Sequence, residues 1–126
     1  MRYLDNLISK LNEAQRQAVI TDKNRVLVMA GAGSGKTSVL TTRIAHLQLN
    51  ERVGTSNQLA LTFTRLAAFE MKERVSRILG DSLAKNLTAG TFHSFCVRIL
   101  RTYGNKIGIE STFSVYDTED RDALIE

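Results

Sequence analysis

Ala30-Gly31-Ala32-Gly33-Ser34-Gly35-Lys36-Thr37 decides how this chain is read, because it sets a glycine-rich loop, a lysine and a hydroxyl in the order a nucleoside triphosphate requires. Apolar Val26-Leu27-Val28-Met29 stands before it and predicts a buried strand. Behind it, Ser38 to Leu49 places Val39, Leu40, Ile44, Ala45 and Leu47 at helical spacing. A phosphate-binding loop needs this context: a strand delivers the chain, the loop wraps the anion and a helix begins at it.

Each residue type has a physical reason to be there. Gly31, Gly33 and Gly35 reach backbone angles closed to other residues, which lets successive N–H groups turn inward as an anion nest around Ala32 and Ser34. The helix that starts near Lys36 adds its positive end. Lys36 reaches the β- and γ-phosphates as a point charge, and the Thr37 hydroxyl ligates the Mg²⁺ that bridges them. These two are the candidate catalytic residues, and Ser38 is the next residue beside the nucleotide. The strict pattern has glycine where this chain has Ala30. A dinucleotide loop is disfavoured, since the glycines run GxGxG rather than GxGxxG and Lys-Thr is a triphosphate feature.

The 126 residues, 43% of them hydrophobic, leave room for one soluble domain with a core. No stretch is long and apolar enough to span a membrane, and Met1-Arg2-Tyr3-Leu4-Asp5 lacks a secretory pattern, so the expected location is cytoplasmic. Cys96 lies in an apolar helical run and is expected to be a buried core thiol. The formal net charge of +4 is unevenly placed, with Arg65, Lys72, Arg74, Arg77, Lys85, Arg98, Arg101 and Lys106 gathered in the second half. That pattern suits a polyanionic partner, although a solvated set of helix faces explains it equally well.

The remaining elements follow from periodicity and caps. Helices are expected over Tyr3–Ser9 and, capped by Asn12, over Glu13–Ile20. A polar loop over residues 50–57 leads to a strand over Leu59–Phe63, then to a helix over Arg65–Leu79 that Gly80 stops. A short strand over Thr88–Thr91 feeds a helix over Phe92–Tyr103; a strand over Phe113–Tyr116 and a helix capped by Asp117 complete the chain. This alternation predicts an α/β fold, a mainly parallel sheet flanked by helices, with the nucleotide at the carboxyl end of the loop-bearing strand.

Four segments together carry a family resemblance. Beside the loop, Leu11-Asn12-Glu13-Ala14-Gln15 resembles an adenine-reading Q motif, the segment from Leu59 to Val75 resembles motif Ia, and Gly90-Thr91-Phe92-His93-Ser94-Phe95 resembles motif Ib. In that order they resemble the N-terminal part of a superfamily 1 DNA helicase of the UvrD/Rep/PcrA type, from about Leu11 onward. The resemblance implies a P-loop NTPase (RecA-like) fold, ATP and Mg²⁺ as cofactors, and Gln15 pairing with the adenine edge through its donor and acceptor. It implies single-stranded DNA, or a single/double-strand junction, as partner, with Phe63, Thr64, Arg65, Thr91 and His93 as contacts. Stacking rings and small polar donors are what unstacked bases and phosphates require. Each has a plainer reading too: Phe63 and Phe92 as core residues, Thr64 as a helix cap, His93 as a satisfied histidine.

The parent enzyme implied is a 3′ to 5′ translocase that hydrolyses ATP when single-stranded DNA is bound, with DNA repair as its setting. This chain departs from the family at Glu13, where proline is usual, at Arg65-Leu66, where Asn-Lys is usual, at Phe69, and at Ser38, where an arginine often covers the adenine. It also holds no Asp-Glu pair after an apolar strand; its nearest approach, Val115-Tyr116-Asp117-Thr118-Glu119, separates the two acids. Residues 1–126 are therefore expected to form one domain, an incomplete lobe that ends before the acidic Walker B motif, with the remainder of the motor elsewhere. Such a piece binds nucleotide and touches DNA weakly without efficient turnover. The rival readings are a non-catalytic P-loop binding module and a small P-loop kinase.

Overall fold

The computed structural model describes residues 2–50 and 53–116. The chain divides into two units, Met1–Thr91 and Phe92–Glu126. The first holds helices α1 (Arg2–Ser9), α2 (Glu13–Ile20), α3 (Lys36–Leu49), α4 (Arg65–Leu79) and α5 (Asp81–Asn86), with strands β1 (Leu59–Thr62) and β2 (Thr88–Thr91). The second holds α6 (Phe92–Tyr103) and a 3₁₀ turn over Gly104–Ile107.

Local sequence accounts for most of these boundaries. Asn12 caps α2 with a reciprocal box: its side chain accepts from the Gln15 amide at 2.9 Å, and Gln15 Oε1 accepts from the Asn12 amide at 3.0 Å. Thr64 caps α4 by accepting from the Ala67 amide at 3.1 Å. Gly80, with φ +87°, ends α4 and turns the chain directly into α5. The sequence reading missed α5; it is six residues long, too short for a hydrophobic period to declare itself.

β1 and β2 pair in parallel, with Leu59, Ala60, Leu61 and Thr62 opposite Thr88, Ala89, Gly90 and Thr91. Parallel strands need a crossover, which α4 and α5 supply. The core forms where that crossover returns: Ile44 of α3, Met71 and Val75 of α4, Ala84 of α5 and Leu87 are buried together, with Ala60 and Ala89 packed on them from the sheet. Buried polar groups fix the connection from α3 to β1. Gln58 Nε2 donates to the Val53 carbonyl at 2.8 Å, and Thr55 Oγ1 donates to the Leu83 carbonyl at 2.7 Å.

The result is a helix-rich α/β structure with a small parallel sheet, less sheet than the sequence predicts. Val26–Met29 is not a strand; the backbone there is irregular, and Leu27 and Met29 are 86% and 89% exposed. A strand buried on both faces needs neighbours to complete its hydrogen bonds, and among the described residues the two strands pair only with each other. The expected strand over Phe113–Tyr116 is likewise absent, and the expected Asp117 helix lies outside the described residues.

In the second unit, α6 matches its expected span but buries no residue; Phe95, Val97 and Leu100 are half-buried. Cys96 is exposed rather than a core thiol, on a helix that buries none of its residues. Arg101 stands over the Phe113 ring at 5.8 Å, which holds the chain beyond the 3₁₀ turn against α6.

Candidate functional site

Between α2 and α3 the chain makes the Ala30–Thr37 loop by using left-handed backbone at two glycines, Gly33 with φ +71° and Gly35 with φ +83°. Gly35 is the N-cap residue of α3 and carries no side chain to bond the first turn. The amides opening α3 are therefore left for another acceptor, and they sit at the positive end of a 14-residue helix. Ser34 tightens the loop by donating from Oγ to the Gly31 carbonyl at 2.6 Å.

Lys36 is drawn back across the same loop. Its Nζ donates to the carbonyls of Ala30 at 2.9 Å and Gly31 at 2.7 Å, so the ammonium sits at the loop's first turn. Both bonds are to neutral acceptors on an exposed loop, and an anion that enters beside the ammonium competes with them as a stronger partner. Thr37 lies half-buried in the first turn of α3; its carbonyl accepts from Thr41 Oγ1 at 3.0 Å.

Gln15 closes the other side. Its Nε2 donates to the Ser34 carbonyl at 2.9 Å, across 19 residues of sequence. A Cβ built on Gly35 would lie 3.2 Å from that nitrogen, a tight approach that would crowd Gln15 in addition to the strain of a positive φ. Arg43 adds a second tie between α2 and α3, donating to the Val19 carbonyl at 2.6 Å. Nothing local in the sequence marks this pair; only the fold brings Val19 beside Arg43.

An open cleft of about 700 Å³ runs from this point along α2 and residues 23–30, lined among others by Asn12, Gln15, Arg25, Val28 and Ser34. It is within the size range of small-molecule sites. Lys23 and Arg25 also line it, a pair that no motif marks. Their signal in the sequence is only two cations before an apolar run.

Of the second group of predicted residues, Phe63, Thr64, Arg65 and Thr91 of the first unit lie at or just beyond the carboxyl ends of the strands. Thr62 and Thr91 are register partners, which brings the ends of β1 and β2 side by side. Thr62 Oγ1 donates to the Thr64 carbonyl at 2.9 Å and so bends the chain from β1 into α4. Phe63 is 93% exposed, which removes the core reading for it; Leu66 and Phe69 are 66% and 63% exposed nearby on α4. Thr64 serves as the cap of α4, and Arg65 is exposed at its first position. Phe92 and His93 open α6 in the second unit, both exposed, so Phe92 is not a core residue either.

No group of three or more His, Cys, Asp or Glu among the described residues is placed to hold a metal ion. No helix among them is long and apolar enough to cross a membrane.

Residues 11–126 match the UvrD/REP helicase N-terminal domain family. The chain is 52% identical over 127 residues to the ATP-dependent DNA helicase PcrA of Bacillus subtilis (strain 168), an alignment that covers 100% of this chain and 17% of that protein. It is 49% identical over 124 residues to the ATP-dependent DNA helicase UvrD1 of Mycobacterium leprae, covering 98% of this chain and 16% of the relative. PcrA of Staphylococcus aureus (strain Mu50) is 48% identical over 123 residues, with 98% and 17% covered. The chain thus spans about a sixth of the length of the curated relatives it matches.

Proposed function

Because the chain belongs to the UvrD/REP helicase N-terminal domain family, we propose that it is the nucleotide-binding opening of an ATP-dependent DNA motor, with a P-loop (RecA-like) lobe begun but not completed within these residues. The observation that carries this reading is the loop itself: positive φ at Gly33 and Gly35, the amides of α3 presented at its mouth, and Lys36 Nζ held over the carbonyls of Ala30 and Gly31.

In this account the triphosphate displaces Lys36 from those two carbonyls. The ammonium then neutralises phosphate charge, while backbone amides along residues 31–37 donate to phosphate oxygens. Mg²⁺ would be held by the Thr37 hydroxyl together with phosphate oxygens. A hard cation takes such oxygen ligands, and the hydroxyl stands in the first turn of α3 where the loop delivers it. When bound, the metal supplies charge neutralisation at the phosphates. Gln15 lies at the junction of the loop and the cleft, the place from which an amide can read a base edge while the phosphates occupy the loop.

The paired strand ends carry the DNA side of the proposal. Thr91 lies beside Thr62, and Phe63, Thr64 and Arg65 follow immediately, so hydroxyls, an exposed ring and a cation share one edge. Single-stranded DNA is recognised by that mixture. His93 of α6 is proposed as a further contact. In the parent motor these surfaces would couple strand-stimulated ATP hydrolysis to 3′ to 5′ movement.

The 126 residues contain no Asp-Glu pair to hold Mg²⁺ through water and orient the attacking water, so as a separate polypeptide they bind nucleotide without efficient turnover. Steady-state ATP hydrolysis with and without single-stranded DNA tests this. No turnover above background is expected, and steady hydrolysis abolished by Lys36→Ala would contradict it.

A further inference from the structure

A second basic site borders the first turns of α3, beginning at Ser38 next to the loop, and includes none of the strand-end residues. An open pocket of about 250 Å³ is lined by three helices of the first unit: Tyr3 and Leu7 of α1, Ser38, Thr41 and Thr42 of α3, and Arg74, Arg77 and Ile78 of α4. Two guanidinium groups line it and no carboxylate does; Glu70 and Glu73 of α4 and Asp5 of α1 are not among its walls. Arg74 and Arg77 stand three residues apart and so share a face of α4.

The hydroxyl groups sort by what they can still offer. Thr41 Oγ1 spends its hydrogen on the carbonyls of Thr37 at 3.0 Å and Ser38 at 3.1 Å, so it cannot donate into the pocket. Ser38 is half-buried and Tyr3 is 54% exposed, and each brings a hydroxyl that can donate. Two cationic forks and two hydroxyls from three helices make a donor-rich concavity. Its two arginines disfavour a cation, and Leu7 and Ile78 add apolar wall beside the donors. Arginine suits a tetrahedral oxyanion because its donors lie in a fixed planar fork.

We propose that this pocket binds a phosphate group at a site independent of the Ala30–Thr37 loop, with Arg74 and Arg77 as its principal ligands. The group is either free inorganic phosphate or one phosphodiester of a polynucleotide backbone. The proposal stands whether or not the loop binds ATP. Position also separates the site from the strand-end edge: Arg74 and Arg77 are nine and twelve residues beyond Arg65, roughly 14–18 Å along the helix.

Inorganic phosphate titrated into the isotope-labelled 126-residue chain, against sodium chloride at matched ionic strength, tests the site by amide chemical shifts. Saturable shifts at Tyr3, Leu7, Arg77 and Ile78 are expected, persisting in Lys36→Ala. The double variant Arg74→Ala/Arg77→Ala alters two exposed side chains and should weaken them by about tenfold or more. Arg74→Lys/Arg77→Lys, which keeps the charge and removes the fork, should recover only part of the affinity. A second arm replaces phosphate by short oligothymidylate: the same shifts at lower concentration identify the backbone as the source, and shifts with phosphate alone identify the free ion. Shifts that follow ionic strength only, that vanish in Lys36→Ala, or that survive the double alanine variant would overturn the proposal.

Discussion

Gln15 Nε2 donates to the Ser34 carbonyl at 2.9 Å while Gln15 Oε1 accepts from the Asn12 amide at 3.0 Å, so one side chain both closes the cap of α2 and tethers the glycine loop. Both ends of the amide are engaged. Beyond these two bonds the amide keeps one N–H and one oxygen lone pair, and these it can offer to a base edge while still holding the loop and the cap. Base occupancy and loop position are in this way linked through a single residue.

Two substitutions separate the roles. Asn12→Ala removes the cap and leaves the Gln15–Ser34 bond, so it should cost about 1 kcal/mol of stability with nucleotide affinity little changed. Gln15→Ala removes the tether as well. It should weaken nucleotide binding by about tenfold, and denaturant unfolding read beside binding isotherms distinguishes the two. Equal affinities for the two variants would remove Gln15 from the site.

The two left-handed glycines are not equivalent. Gly33→Ala meets nothing within 4 Å and bears only the backbone strain of a positive φ, about 1–2 kcal/mol. Gly35→Ala bears the same strain and also meets Gln15 Nε2 at 3.2 Å. Gly35→Ala should therefore lower the melting temperature further and displace Gln15, measurable as a shift of its side-chain amide resonances.

Much of this fold was legible because local chemistry wrote it. The boxes and stops at Asn12, Thr64 and Gly80 act within a few residues, and the helices they bound fell where expected. The Val26–Met29 segment failed for the opposite reason. Four apolar residues announce burial, but burial of a parallel strand depends on neighbours that no local signal supplies, and here Leu27 and Met29 are exposed. The loop's residues were readable from glycine spacing; the Gln15–Ser34, Arg43–Val19 and Thr62–Thr91 relationships were not, since each joins positions at least 19 residues apart.

That contrast is measurable. Met71 is 3% exposed in the core, and Met71→Ala should cost about 2–5 kcal/mol. Leu27→Thr, at a side chain that is 86% exposed, should change stability by no more than about 0.5 kcal/mol. Chemical denaturation of both variants checks where the core lies; a large loss at Leu27 would show that the segment is packed after all.

At the start of α4, Thr64→Ala removes the bond to the Ala67 amide and should cost about 1 kcal/mol. Phe63→Ala removes a ring that is 93% exposed and should leave stability unchanged. On the proposed function, Phe63→Ala weakens oligothymidylate binding by roughly 1–3 kcal/mol if the ring stacks on a base. Fluorescence anisotropy at low salt reads that difference.

The most direct measurement is equilibrium binding of a fluorescent ATP analogue with Mg²⁺ to the 126-residue chain and to Lys36→Ala. Saturable binding by the parent chain is expected, competed by ATP and weakened about tenfold or more in the variant. Absence of binding, or binding that Lys36→Ala leaves unchanged, would contradict the central claim that the Ala30–Thr37 loop holds the triphosphate.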